Sequence, residues 1–504
     1  MKEKDKNKAG GFLGAVERIG NKIPHPFYLF LVLLVVVGIF SMIFRGVSVI
    51  NPSTGEVAEV KGLFTGEGLT YIFKNMVANF INFAPLGLIL TMTLGLGVAE
   101  ETGFMGALMR RSMLSVPTGA VTFLVFLIGI CGNIASDAAT IIIPPLAAMI
   151  FLYVGKNPIA GIAVGYASTT AGFSANLIVA GTDALLAGIT NEATAIINGP
   201  TIDITANWYF MAVSTFFLSI VGAVVTRRII EPRLGKYELK NEIDLKSSDI
   251  TDIEKKGLKN AGLATLIFIL VIAIASFPQN SFFRNPETGS LLVRSTLMSS
   301  IVPLLFLMFL MQGIVYGKTV GTIKHSDDVP ALMANAMKGM SGFIVLAFVI
   351  GQFVAWFNWS NLGLVLSINL SESIQEAGFV GIPLFIVYML ICTLINLFIG
   401  SGSTKWSILA PIFIPMFSLL GYHPAWTQLL YRIGDSSTNI ISPLYTYMPI
   451  ILAYMNEYDE DSGIGTLLSL MIPYSVAFLV FWAILAIVWY LIGLPLGPGA
   501  PIML

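Results

Sequence analysis

The chain has 504 residues, 56% hydrophobic and only 11% charged, with a formal net charge of −1 and a mean hydropathy of +0.82. Soluble domains carry about 25% charged residues, and here apolar stretches of the roughly 20 residues that cross a bilayer recur from end to end, so the chain reads as an all-α polytopic membrane protein. The near-neutral balance offers nothing to a nucleic acid, and two cysteines in apolar segments, Cys131 and Cys392, make neither a disulfide framework nor a metal quartet.

The elements follow in chain order. A lysine-rich segment, 1–26, precedes the apolar run Phe27–Phe44. That run lacks a small-residue cleavage pattern and is expected to be the first transmembrane helix, not a signal peptide. Further crossings are expected near 76–98, 158–182, 206–226, 261–277, 296–316, 341–357, 425–450 and 464–492, about nine in all. Two longer stretches, 118–154 and 381–421, carry a polar break in the middle. The first break is Gly132-Asn-Ile-Ala-Ser-Asp-Ala-Ala-Thr140, followed by Pro144-Pro145. The second is Gly400-Ser-Gly-Ser-Thr-Lys-Trp406, followed by Pro411 and Pro415. Each leads to an Xaa-Pro turn, Asn157-Pro158 or His423-Pro424, and then to a segment interrupted by a small polar cluster, Ser174-Ala-Asn176 or Ser436-Ser-Thr-Asn439. Paired Gly/Pro interruptions at corresponding places in two halves point to the binding site of a secondary transporter.

Lysine and arginine counts orient the loops. The basic N-terminus, Arg110-Arg111, Lys156, the linker 227–260 and the loop 317–340 are expected to be cytoplasmic. The loops 183–205 and 358–379 carry no Lys or Arg and fall outside. The linker divides a first half, 27–226, from a second, 261–504. If each broken stretch is a re-entrant hairpin, the first enters from inside and the second from outside, an inverted repeat. Two full crossings in place of each hairpin would leave the same loop sides; the Gly/Ser/Pro-rich breaks favour hairpins.

Ionisable residues inside apolar spans cost about 2.5–3.5 kcal/mol each on insertion scales and normally face a cavity or a partner. Asp137, Lys405, Arg432 and Asp435 sit at such depth, and Asp183 ends a span. Arg432 and Asp435, three apart on a helix, can face the same way. They either form an internal ion pair or divide the work, Arg432 binding a substrate carboxylate while Asp435 orients it or titrates. Broken-helix tips present free N–H groups to anions and oxygens to small cations. Ser136, Asn176, Ser403, Thr404 and Asn439 are the oxygen donors, with sodium a candidate at Ser136, Asn176, Ser403 and Asn439; alternatively they hydrogen-bond neighbouring helices. Trp406 either stacks on a flat substrate or serves as an interfacial aromatic. Pro411, Pro415, Pro424 and Pro443 are expected to set helix ends and bends. A phosphate loop and a His-Glu-x-x-His pair are both lacking, and His25, His325 and His423 are scattered, which argues against an ATP-driven pump and an intramembrane hydrolase.

The run Gly400-Ser-Gly-Ser-Thr-Lys-Trp-Ser-Ile-Leu-Ala-Pro-Ile-Phe-Ile-Pro415 resembles the second hairpin of the AbgT family, the p-aminobenzoyl-glutamate transporters. So does Tyr431-Arg-Ile-Gly-Asp-Ser-Ser-Thr-Asn-Ile-Ile-Ser-Pro443, with Ser136-Asp-Ala-Ala139 in the first half. The likeness covers essentially the whole chain, and the paired clusters are also similar to those of sodium–dicarboxylate carriers. The resemblance implies a homodimer of nine-helix protomers with two re-entrant hairpins in a bacterial inner membrane. It implies p-aminobenzoyl-glutamate uptake, export of sulfonamide antimetabolites, or both. Carried over by position, the functional residues are Asp183, Ser403, Trp406, Pro424, Arg432, Asp435 and Pro443.

The leading expectation is a secondary active transporter of aromatic carboxylates, driven by protons or sodium and needing no further cofactor. Asp137, Asp183 and Asp435 are candidate proton carriers. The alternatives are a sodium-coupled dicarboxylate carrier and, from other classes, a channel or an intramembrane enzyme.

Overall fold

The computed structural model describes residues 25–51, 55–135, 137–235, 237, 250–293, 295–442 and 445–504, with the backbone alone at Thr118, Ala135 and Asp137. The expected N-terminal segment 1–26, most of the linker's middle, Ser136 and Pro443 therefore lie wholly or largely outside the described residues. What is described is nearly all helical; a two-stranded hairpin, Ser48–Ile50 with Val57–Glu59, is the sheet.

Seven helical stretches among the described residues are long and apolar enough to cross a membrane: Pro26–Ile43, Gly66–Glu101, Trp208–Leu234, Asp252–Ser276, Ile301–Val320, Ser341–Trp359 and Ile464–Ile492. The crossings expected at 158–182 and 425–450 unwind at the polar clusters noted in the sequence, Ser174–Asn176 and Ser436–Asn439. Pro158–Thr170 is followed by non-helical backbone and a new helix, Gly181–Thr194. Pro424–Thr438 is followed by the short 3-10 turn Asn439–Ile441 and, further on, by Met448–Asn456. Both broken helices are buried along their whole length. Most of the unwound stretch after Thr170 is buried as well, Ile178 being exposed, and non-helical backbone at membrane depth is tolerated where protein or a water-filled cavity receives it. The stretches 183–205 and 358–379, expected as loops, contain the helices Gly181–Thr194 and Leu362–Glu376. The linker is helical at both ends, up to Leu234 and again from Asp252, where Thr251 and Glu254 form a capping box.

Each polar break separates two helices. Val121–Gly132 and Asp137–Tyr153 flank the first; Ile382–Asn396 and Gly402–Leu419 flank the second. Pro144, Pro145, Pro411 and Pro415 lie inside the second arms rather than at helix ends. The helix after each pair starts alike: the Asn157 and His423 side chains accept the N–H of the residue two ahead, and a proline fills the first helical position. The halves are also interlocked. The second arm Gly402–Leu419 packs on Gly181–Thr194 of the first half, while Met448–Asn456 of the second half packs on Asp137–Tyr153.

Segments assigned to one side by charge are neighbours. Arg110 pairs with Glu254 at 2.6 Å and Lys156 with Glu231 at 2.8 Å. Ser360, in the loop 358–379 assigned to the other side, accepts the Lys61 N–H at 2.9 Å.

Glycine sets one close approach that positions the site. A Cβ at Gly434 would stand 2.6 Å from the Met389 carbonyl oxygen, so Pro424–Thr438 meets Ile382–Asn396 backbone to backbone there. Gly434→Ala is expected to cost about 1–3 kcal/mol through overpacking. An unchanged melting temperature of the detergent-solubilised variant would refute that packing.

Candidate functional site

The second break and the segments that follow Thr170 and Thr438 meet at a cavity of about 410 Å³, whereas Gly132 and Ile134 of the first break line another hollow beside Cys131 and Leu177. The cavity wall combines Phe173, Ser174 and Thr182 from the first half with Gly400, Ser401, Gly402 and Ser403 of the second tip. Tyr431, Asp435, Asn439, Tyr445 and Tyr447 also line it. Aromatic faces with a few convergent polar groups make a binding pocket of ordinary size. A further hollow, along Phe268, Ile272 and Leu304, is almost wholly apolar, with Ser276 and Arg284 as its polar side chains.

The tip is built by its own sequence. Ser401 caps Gly402–Leu419, accepting the Thr404 N–H at 3.4 Å and the Thr404 hydroxyl at 2.9 Å. Ser403 Oγ lies 3.3 Å from Ser401 Oγ, and the Ser403 carbonyl accepts from Ser407 at 2.8 Å. The helix therefore begins at the cavity wall with its positive dipole end, which favours an anion.

Two buried ion pairs flank the cavity, the second of them through the wall residue Asp435. Arg432 Nη1 is 2.7 Å from Asp183 Oδ1, and Arg432 Nη2 donates to Ser174 O at 2.7 Å. The other Asp183 oxygen accepts the Ala180 N–H at 2.7 Å. Together these contacts hold both ends of the unwound segment after Thr170. Lys405 Nζ is 2.6 Å from Asp435 Oδ1 and also donates to Asn396 Oδ1. The internal Arg432–Asp435 pair allowed by helical spacing is thus replaced by two pairs with other partners. The reason is tertiary: Asp183 arrives from the other half and Lys405 from the facing hairpin arm.

Trp406 is completely buried and donates its indole N–H to Thr190 Oγ1 at 3.0 Å, with Leu186 O at 3.2 Å. Its ring stacks on Tyr431, with centroids 4.6 Å apart, and Tyr431 faces the cavity. Tyr431 Oη donates to Gly402 O and lies 3.1 Å from Asp435 Oδ1. Ser403 and Asn439 line the cavity, and Thr404 sits one turn behind it. Asn176 is buried but is not a wall residue, and neither carboxamide atom has a partner among the described residues. Pro424 is the first residue of its helix, some 16 Å along the axis from Asp435 at about 1.5 Å per residue. Ser136 and Pro443 lie outside the described residues, and Asp137 is described only as the start of its helix.

Sequence reasoning missed Asn396. Fully buried, it places its amide nitrogen within 2.6–2.9 Å of Asp435 O, Thr438 Oγ1 and Asn439 Oδ1. A lone asparagine in an apolar run was the available signal. Tyr431 lay in view within its motif, but its position on the cavity wall needed the fold.

Comparison with known proteins gives the class. A family model described as "AbgT putative transporter family" matches residues 11–504. The chain belongs to the AbgT family. It is 43% identical over 496 residues to the p-aminobenzoyl-glutamate transport protein of Escherichia coli K12, covering 98% of this chain and 97% of that one. The crystal structure of the Alcanivorax borkumensis YdaH transporter superposes with a TM-score of 0.89 at 38% identity, over 94% of this chain and all of that one. Neisseria gonorrhoeae MtrF, of a class of antimetabolite efflux pumps, superposes at 0.91 with 40% identity, over 97% of this chain and all of that one. This AbgT-family chain is therefore a multi-pass membrane transporter and not an enzyme.

Proposed function

We propose that this AbgT-family chain moves p-aminobenzoyl-glutamate and related aromatic carboxylates across a bacterial cytoplasmic membrane, energised by an ion gradient. Export of sulfonamide-type antimetabolites would use the same path. The observation that carries this is the cavity wall: the Tyr431, Tyr445 and Tyr447 rings beside the N-terminus of Gly402–Leu419. A flat ring and a carboxylate need those two surfaces together. Arg432, committed to Asp183, supports the wall from behind. Relatives described as a p-aminobenzoyl-glutamate transport protein and an antimetabolite efflux pump support the same substrate class.

The proposal extends to a homodimer with a cytoplasmic N-terminus and two hairpins entering from opposite sides. The Arg110–Glu254 and Lys156–Glu231 pairs, each between segments that loop charge places in the cytoplasm, support that sidedness.

Reconstituted proteoliposomes test it. Labelled p-aminobenzoyl-glutamate should accumulate against its gradient, be displaced by unlabelled compound and be indifferent to succinate. Displacement by succinate would indicate a dicarboxylate carrier. Flux without accumulation would indicate a channel.

A further inference from the structure

We propose that the hollow beside the first break binds a neutral aromatic molecule carrying one hydroxyl or amine donor, with the Gln312 carboxamide oxygen as its acceptor. The hollow, about 370 Å³, lies between Val121–Gly132 and Ile301–Val320 and shares no lining residue with the cavity at the second tip. Cys131, Gly132 and Ile134 bound it from the first break, and Leu177 and Ile178 from the unwound segment. Phe104, Met105, Met109 and Phe309 are its buried lining, while Leu108 and Ile178 are exposed at its rim.

Gln312, another lining residue, carries the argument. Only 8% exposed, it donates its amide N–H to Thr265 Oγ1 at 2.8 Å. Its carbonyl oxygen is buried and has no partner among the described residues. The Thr265 hydroxyl donates to Ala261 O at 2.8 Å, so toward Gln312 it can only accept. That fixes the carboxamide orientation and leaves the oxygen as the unmet group. An unpaired buried acceptor costs about 1–3 kcal/mol. The wall does not answer it: Ser112 spends its hydroxyl proton on Leu108 O, and the Cys131 thiol is a weak donor. A buried water needs roughly three partners, which one strong acceptor does not supply. A lipid chain would fill the space without offering a donor. Among the described residues no Lys, Arg, Asp or Glu lines the hollow, so a charged occupant would go uncompensated. The Met105, Met109 and Met308 thioethers and the Phe104 and Phe309 rings favour a flat aromatic body.

The test needs no transport. Binding of tritium-labelled 1-naphthol to the purified chain in lipid nanodiscs is measured with two unlabelled competitors, 1-naphthol and 1-methoxynaphthalene, which lacks the donor. Wild type should bind 1-naphthol saturably and prefer it to the ether by about tenfold, the worth of one hydrogen bond to a buried acceptor. Gln312→Met keeps the side-chain length, removes the acceptor and should bring the two competitors within about twofold of each other. Met308→Trp, which enlarges a half-buried lining residue, should abolish saturable binding, and it serves if Gln312→Met does not purify. Absence of saturable 1-naphthol binding by wild type overturns the proposal. Equal affinity for the ether, the result for a hollow that takes any hydrocarbon, overturns it too. So does a preference that survives Gln312→Met, or full binding by Met308→Trp. Displacement by p-aminobenzoyl-glutamate would put the probe in the cavity at the second tip and likewise overturn it. Failure of p-aminobenzoyl-glutamate to accumulate in proteoliposomes would instead sink the substrate reading and leave this site standing.

Discussion

Arg432→Ala is expected to abolish p-aminobenzoyl-glutamate transport and to lower stability by about 3–5 kcal/mol, the usual cost of stripping one partner from a buried ion pair. The Arg432 side chain is only 2% exposed and that of Asp183 10%. Without the guanidinium, the Asp183 carboxylate keeps the Ala180 N–H and loses its counter-charge. Ser174 O loses its donor as well. The unwound segment between Thr170 and Gly181 would then be free to shift, and Phe173, Ser174 and Thr182 form one side of the cavity. A second variant separates support from binding. Arg432→Ala with Asp183→Asn removes both charges and should recover most of the melting temperature. Transport should remain absent if the wall must be held in one geometry. Wild-type transport by either variant would remove Arg432 from the path.

Asp435→Ala should cost a similar amount, about 3–5 kcal/mol, and should release the second tip. The carboxylate touches Lys405 at 2.6 Å and lies 3.1 Å from the Tyr431 hydroxyl, which itself donates to Gly402 O. Deleting it strands a buried ammonium on Asn396 alone. Amide hydrogen exchange across Gly400–Ser403 should accelerate, and the melting temperature should fall. Asp435→Asn keeps the shape and one acceptor oxygen and should fall between the two. Unaltered exchange in Asp435→Ala would show that the tip is held by other contacts.

Much of the architecture was legible in the residues. Partition into a membrane is decided segment by segment, so the uninterrupted crossings could be read from local hydropathy. The breaks at Gly132 and Gly400 were visible for the same reason, since small and polar residues punctuate apolar runs locally. Charge in short loops grouped Arg110, Lys156 and the linker on one side, and in the structure each of the two cations pairs with a linker glutamate, Glu254 and Glu231. The polar clusters Ser174–Asn176 and Ser436–Asn439 marked where the expected crossings at 158–182 and 425–450 unwind, but hydropathy did not show that the helix is lost there. A segment surrounded by protein need not be continuous, and only the fold says which segments are surrounded.

The sequence by itself determined the class, the polar breaks and the residues at them, because each rests on composition or spacing within a few turns of chain. Tertiary structure alone decided who pairs with whom. Asp183 reaches Arg432 from the opposite half, Lys405 reaches Asp435 from the arm Gly402–Leu419, and Asn396 ties the other arm, Ile382–Asn396, to Asn439. Tyr431 faces the cavity while Trp406 backs it. Buried charges are too costly to leave alone, so they take the nearest counter-charge that packing brings, and that partner is set by interlocked halves rather than by helical spacing.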